Sequence, residues 1–274
     1  MNAGDQGDYV LGTGDEEVQR LGLQHRVWRP RVLAAWKRAG LGRGHTVLDA
    51  GSGPGFATLD LADIVGPSGR VVAIERSKHY ASVLRTQAAR RALGNLTIIE
   101  GDLDDLSLDG SSFDRIWCRW VLAFVVEPRA VLAKMIDALR PGGTIVFHEY
   151  FDYGTWRMAP RLATLEEFVR LIMKTWRDAK GEPDVGLAIP AWLEELGMNV
   201  VTLSPTIEVA PAGSPYWEWL AAFVHSGVRR LVELELLDDS DAAVMTHELA
   251  DAYARGARMI TPGLFEVIAT RRPR

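Results

Sequence analysis

Val18, Leu21, His25 and Trp28 fall three and four residues apart, and the spacing predicts a helix from about Glu16 to Trp28. Pro30 stands where it would open a second helix, which Gly40 to Gly44 ends. The rhythm then changes to short apolar runs bounded by turn residues. Thr46 to Ala50 reads as a buried strand, Gly51 to Gly55 as a tight loop and Phe56 to Val65 as a helix. Arg70 to Glu75 is a second strand, and Ser77 is suited to cap a helix ending near Gly94. Leu96 to Glu100 and Phe113 to Cys118 are strands three and four, followed by a helix from Pro128 to Leu139. Pro141-Gly142-Gly143 turns into a fifth strand, Thr144 to Glu149. Apolar strands alternating with helices predict a parallel sheet covered on both faces.

After Tyr150 the pattern loosens. Arg161 to Arg177, Pro190 to Leu196, Tyr216 to Leu237 and Asp241 to Arg258 read as helices, and Val200 to Val209 and Phe265 to Thr270 as strands. The organisation expected is an N-terminal helical cap over 1–45, an α/β core over 46–150 and a capping insertion over 151–189. The rest of the sheet falls at 190–209 and 263–274, with a helical capping insertion over 210–262.

Composition narrows the function. The chain has 274 residues, 47% hydrophobic and 24% charged, an ordinary globular balance. No apolar run approaches the roughly 18 residues of a membrane span. Met1 to Asp8 shows no basic segment followed by an apolar one, so no signal peptide and no membrane partner are expected, and the reading is cytoplasmic. The net charge of -5 argues against a nucleic-acid partner. The single cysteine, Cys118, excludes an internal disulfide and a cysteine metal cluster, and it reads as a small buried hydrophobe. No metal site is expected. The sequence leaves the oligomeric state open.

The chemistry concentrates at strand ends. In Leu48-Asp49-Ala50-Gly51-Ser52-Gly53-Pro54-Gly55, a strand, a glycine turn and a helix place a ligand at the carboxyl edge of the sheet. A dinucleotide fingerprint would need a further glycine where Phe56 stands. Asp49 would repel a pyrophosphate and suits a cationic ligand. Glu75 ends strand two, where a carboxylate can accept both ribose hydroxyls. Asp102 follows strand three, where it can accept from an adenine amino group.

With these residues in place, the stretch from about Thr46 to Tyr150 resembles the class I S-adenosylmethionine-dependent methyltransferases of the small-molecule type. The family's acidic residue and G-x-G-x-G are matched by Asp49, Gly51, Gly53 and Gly55, its ribose carboxylate by Glu75, its acidic residue after strand three by Asp102, and its loop before strand five by Arg140-Pro141-Gly142-Gly143. The resemblance implies a Rossmann-like, doubly wound α/β fold with a seven-stranded sheet whose last strand is antiparallel. It also implies S-adenosyl-L-methionine as cofactor, with Ser52, Arg76, Leu103 and Arg119 beside it. Tyr9-Val10-Leu11-Gly12, Gln24-His25 and Trp28 resemble N-terminal caps of small-molecule members. The sequence departs from the nucleobase-amine branch, because Cys118-Arg119-Trp120-Val121 replaces its Asn/Asp-Pro-Pro-aromatic motif.

The function expected is methyl transfer to a small, moderately apolar molecule. Tyr9, His25, Trp120, Phe124, Tyr153 and His225 are the expected substrate residues, with Phe151 in the same aromatic cluster. His148, Glu149 and Tyr150, which end strand five, are the expected catalytic residues. His148 is favoured as a base and Tyr150 as a wall or hydrogen-bond partner, because the two share one face of the strand. The alternatives are a nicotinamide-dependent oxidoreductase and a non-catalytic, methyltransferase-like binding module.

Overall fold

The computed structural model describes residues 14–105, 108, 110 and 112–273. In chain order the elements are α1 (Asp15–Arg38), β1 (Thr46–Ala50), α2 (Phe56–Val65), β2 (Arg70–Glu75), α3 (Lys78–Arg90), β3 (Leu96–Glu100), β4 (Phe113–Arg119), α4 (Pro128–Ala138) and β5 (Leu139–Asp152). There follow β6 (Arg157–Ala159), α5 (Ala163–Asp178), α6 (Ile189–Glu195), β7 (Met198–Thr206), β8 (Val209–Pro211), α7 (Pro215–Glu233), α8 (Asp239–Ala254), β9 (Arg258–Ile260) and β10 (Gly263–Arg271).

Seven strands form one sheet in the order β3-β2-β1-β4-β5-β10-β7. The first five are parallel to one another, and β10 runs antiparallel to both β5 and β7. Residues of β1, β2 and β5 are buried on both faces of the sheet, as a sheet sandwiched by helices requires. The strand order reverses between β1 and β4, and such a reversal opens a crevice at the carboxyl ends of the strands.

Some expectations about the elements are corrected. α1 is one continuous helix with Pro30 inside it, not two. Pro30 and Arg26, whose carbonyl the proline deprives of a donor, lie on the exposed side. The buried stripe of Trp28, Val32, Ala35 and Trp36 carries the helix through the break. The strand expected over Val200 to Val209 is split. Ile207 and Glu208 leave the large sheet, and β8 pairs with β9 in a separate three-stranded sheet ordered β6-β9-β8. Strands of three residues carry no readable period. The helix expected to end near Gly94 stops at Arg90, and β5 begins irregularly, with a register shift between its Leu139 and Thr144 pairings.

α7 packs against α1, α5, α8 and β8, so a layer of helices stands over the crevice. α6 instead packs on α4 and β7, beside the sheet. No helix among the described residues is long and apolar enough to cross a membrane.

Candidate functional site

The loop between β1 and α2 is held by its own backbone: Ser52 N donates to Ile74 O at 2.9 Å and Gly55 N to Ser52 O at 3.1 Å. Gly51, Gly53 and Gly55 have φ of 71°, 56° and 90°, in the left-handed region that favours glycine. Their surroundings differ. A Cβ on Gly51 would lie 2.4 Å from Val121 Cγ2, and one on Gly55 would lie 2.1 Å from Leu84 Cδ1. A Cβ on Gly53 would meet nothing within 4 Å. Gly51 and Gly53 line the cavity at the strand ends. Gly55, expected beside the cofactor, does not line it; its missing side chain lets α3 pack close.

Three carboxylates stand at successive strand ends. Asp49 is 2% exposed, and its Oδ2 accepts from Thr58 Oγ1 at 2.6 Å. Burial pushes its pKa up to about 6. Glu75 is also buried; its Oε2 accepts from Gly53 N at 2.7 Å and its Oε1 from Ser77 N at 2.8 Å. Burial raises its pKa against these bonds. Asp102, a third exposed, faces the guanidinium of Arg76 at 3.8 Å. Ser52, Leu103 and Arg76 line the same cavity.

Arg119, at the end of β4, brings a cation to this acidic rim. Its guanidinium lies 5.1 Å from the Trp120 ring centre and 5.8 Å from that of Trp117. Its Nη2 is 3.3 Å from His25 Nδ1, while Nη1 is buried with no hydrogen-bond partner among the described residues. Burial lowers its pKa to about 10, so it stays charged at neutral pH. His25, on α1, is buried and places Nε2 3.1 Å from Asp60 Oδ2 on α2. His25, expected at the substrate, does not line the cavity and instead meets Arg119 behind it.

Beyond the carboxylates the cavity, of about 170 Å³, becomes aromatic. Trp120, Phe124, Tyr150 and Tyr153 line it. Trp120 stacks between Tyr150, at 5.4 Å and 21°, and Trp219, at 6.0 Å and 20°. Its φ of 53° is strained for a residue with a side chain, a geometry that persists only where surroundings enforce it. They do: Trp120 N donates to His148 O at 2.9 Å, and the next two amides, of Val121 and Leu122, donate to Glu149 Oε1 at 2.7 and 2.9 Å. Sequence reasoning missed Trp156, Trp176, Trp219 and Phe223 on this wall, and Arg20 and Gln24 on α1. The dense tryptophan content after residue 150 was the available signal. Arg20 and Gln24, four apart, share a helix face, from which His25, one position on, is turned away.

The run ending β5 is corrected in part. Tyr150 lines the cavity, but His148 and Glu149 do not. His148 is 1% exposed, sits edge-on to Trp117 at 5.0 Å and meets Glu266 Oε2 at 3.3 Å; Glu266 in turn pairs with Arg38. His148 lies two residues deeper in the strand than Tyr150, so a shared face does not give it shared access. Glu149 points to the other face and anchors the loop after β4; burial pushes its pKa up to about 8. His225 is exposed on α7 and lines no part of the cavity. Phe151 stacks on Phe265 at 4.3 Å, away from the cavity. Tyr9 lies outside the described residues. Among the described residues, no three His, Cys, Asp or Glu side chains are grouped to hold a metal ion.

A methyltransferase-domain family model matches residues 41–195. Demethylmenaquinone methyltransferase of Staphylococcus aureus is 33% identical over 123 residues, 45% of this chain and 49% of that protein. The chain therefore spans about half the length of the curated relatives it matches. Among solved structures, phosphoethanolamine N-methyltransferase 2 of Haemonchus contortus, in complex with S-adenosyl-L-methionine, aligns with a TM-score of 0.56 at 17% identity, covering 89% of this chain and 53% of that one. The [4+2]-cyclase SpnF aligns with a TM-score of 0.54 at 16% identity, covering 88% and 79%. These two likenesses are of fold.

Proposed function

We propose that this chain, which belongs to the class I S-adenosylmethionine-dependent methyltransferases, transfers the methyl group of S-adenosylmethionine to a small, moderately apolar molecule enclosed beneath its aromatic cap. The observation that carries the reading is the continuity of one cavity, carboxylate-lined at the ends of β1, β2 and β3 and indole-lined beyond β4 and β5.

The residues present fit the cofactor. Gly53 leaves open space where a side chain would stand. Glu75 retains lone pairs, after its two backbone bonds, for the ribose hydroxyls. Asp102 accepts from the adenine amino group, with Leu103 against the ring. Asp49 and Ser52 take the amino end of the methionine part, and Arg119 its carboxylate. Bound there, S-adenosylmethionine supplies a methyl group on a cationic sulfonium with a good leaving group. The residues supply position, exclusion of water and an aromatic lining that attracts positive charge. Trp120 and Tyr150 provide that lining, and Tyr150 orients the acceptor. A flat ring suits the stacked walls, and the name of the Staphylococcus aureus relative points to a quinone-type acceptor.

The test is to incubate the pure protein with S-adenosylmethionine and a panel of quinols, phenols and small-molecule extracts while following S-adenosylhomocysteine. Acceptor-dependent release is expected. Tight binding of a nicotinamide dinucleotide without binding of S-adenosylhomocysteine would overturn the reading. Cofactor binding with no transfer to any acceptor would mark a non-catalytic module.

A further inference from the structure

A buried guanidinium is costly unless its N–H groups find acceptors. Arg119 lacks one. Nη1 is buried and unpartnered among the described residues, and the carboxylates whose charges reach it, Asp49 and Asp60, make no hydrogen bond to it. Asp49 is engaged by Thr58, and Asp60 by His25 and Arg29, at 3.1 and 2.7 Å. Arg119 lines the cavity, so the missing acceptor comes from what the cavity binds.

The other end of the guanidinium is held. Arginine only donates, so His25 Nδ1, 3.3 Å from Nη2, is the acceptor and carries no proton. The imidazole proton is then on Nε2, which donates to Asp60 Oδ2. Asp60 is fixed in turn by Arg29 through Nε and Nη2, at 2.7 and 3.2 Å. A neutral imidazole between a carboxylate and a guanidinium sets the orientation of the latter, as an outer partner orients a ligand-binding group. Trp117 and Trp120 restrict the guanidinium on its faces.

We propose that His25, oriented by Asp60, is a positioning residue: it fixes Arg119 so that the unpartnered side of the guanidinium meets the carboxylate of the cofactor's methionine part. The proposal rests on the cofactor reading above. It concerns a chain of contacts from α2 through α1 to β4 that lies behind the cavity wall.

The test compares two ligands by calorimetry: S-adenosylhomocysteine, and its decarboxylated analogue, which keeps the nucleoside, sulfur and amine. Wild type is expected to prefer S-adenosylhomocysteine by at least about tenfold, the size of a hydrogen bond to a charged group. Arg119→Met should abolish the preference. His25→Phe should weaken S-adenosylhomocysteine about tenfold while leaving the analogue nearly unchanged. His25→Asn, whose Oδ1 stands in for Nδ1, should recover most of the loss. Asp60→Asn, which keeps size and shape, should give a smaller, equally carboxylate-selective loss, and it carries the test if His25→Phe does not fold. Equal weakening of both ligands by the His25 and Asp60 variants, with no recovery in His25→Asn, would overturn the proposal while leaving the cofactor reading intact. Equal wild-type affinity for the two ligands would do the same. Wild-type binding of neither ligand would remove the cofactor reading itself, and the proposal with it.

Discussion

Glu75 already accepts two backbone amides, so its carboxylate is both a fastening of the glycine loop and the group offered to a ribose. Glu75→Gln separates these duties better than alanine. The amide oxygen keeps one acceptor for the loop, while the nitrogen that replaces the second oxygen donates, so the paired acceptance of two hydroxyls is lost. S-adenosylhomocysteine affinity measured by calorimetry should fall between about tenfold and a hundredfold, because hydrogen bonds to a charged group are worth about 1.5–3 kcal/mol. Asp102 is a third exposed and partly screened by water, so Asp102→Asn should cost less. At this scale the acidic residues were legible in the sequence because each follows a strand directly and a strand end has a known place. The link from Asp60 through His25 to Arg119 was not, because it needs the angle at which α1 crosses α2. Nor was the burial that removes His148 and Glu149 from the cavity, since alternation along a strand assigns a face and not a depth.

Among the elements, the glycine loop contains three similar residues with different work. Gly53→Ala puts its Cβ in open space but keeps a φ of 56°, so the fold should lose only about 1–2 kcal/mol while the cofactor is obstructed. Gly55→Ala drives its Cβ into Leu84, a buried residue of α3, and should lower the melting temperature more than Gly53→Ala does. Thermal melting with and without S-adenosylhomocysteine distinguishes the two: ligand stabilisation should vanish in Gly53→Ala and persist in Gly55→Ala wherever that variant folds. The elements of the parallel core were readable because each short apolar run is bounded by turn or capping residues, and the runs of β1 and β2 are buried; Ser77 does accept the Tyr80 amide at 3.3 Å. The elements of the cap were readable as helices but not as a wall. Trp156, Trp176, Trp219 and Phe223 come together only because α5, α7 and the segment after β5 converge over the crevice, and no local period encodes that meeting. Pro30 shows the same limit, because a buried stripe on the other side of the helix outweighed a strong local breaker.

For the whole molecule, buried titratable groups make stability depend on pH, and their directions can be separated by window. Glu149, whose ordinary pKa is 4.5, is raised to about 8 by burial, and Asp49 from 3.8 to about 6. Each keeps a proton in the folded state that the unfolded chain releases, so each makes stability fall as pH rises between those two values. Burial lowers His25 and His148 below 6.5, so the unfolded chain holds more protons there and stability rises with pH up to about 6.5. Cys118 is raised well above 9.0, so its contribution falls only at pH beyond that. Between about pH 6.5 and 8, Glu149, raised to about 8, contributes a falling slope. Wild-type unfolding free energy from denaturant titrations should drop by about 1 kcal/mol from pH 7 to 8, since a full proton difference is worth about 1.4 kcal/mol per pH unit. Glu149→Gln keeps an oxygen for the amides of Val121 and Leu122 but cannot ionise, so its stability should be nearly flat over the same interval. A slope that survives in Glu149→Gln would show that another group titrates there. The consequence reaches the cavity, because the loop that Glu149 anchors carries Trp120, whose strained backbone that anchor helps to hold. Deleting the acceptor outright in Glu149→Ala should therefore loosen the aromatic wall as well as the fold, and the Trp120 environment, followed by indole fluorescence, should change in Glu149→Ala at a pH where Glu149→Gln matches wild type.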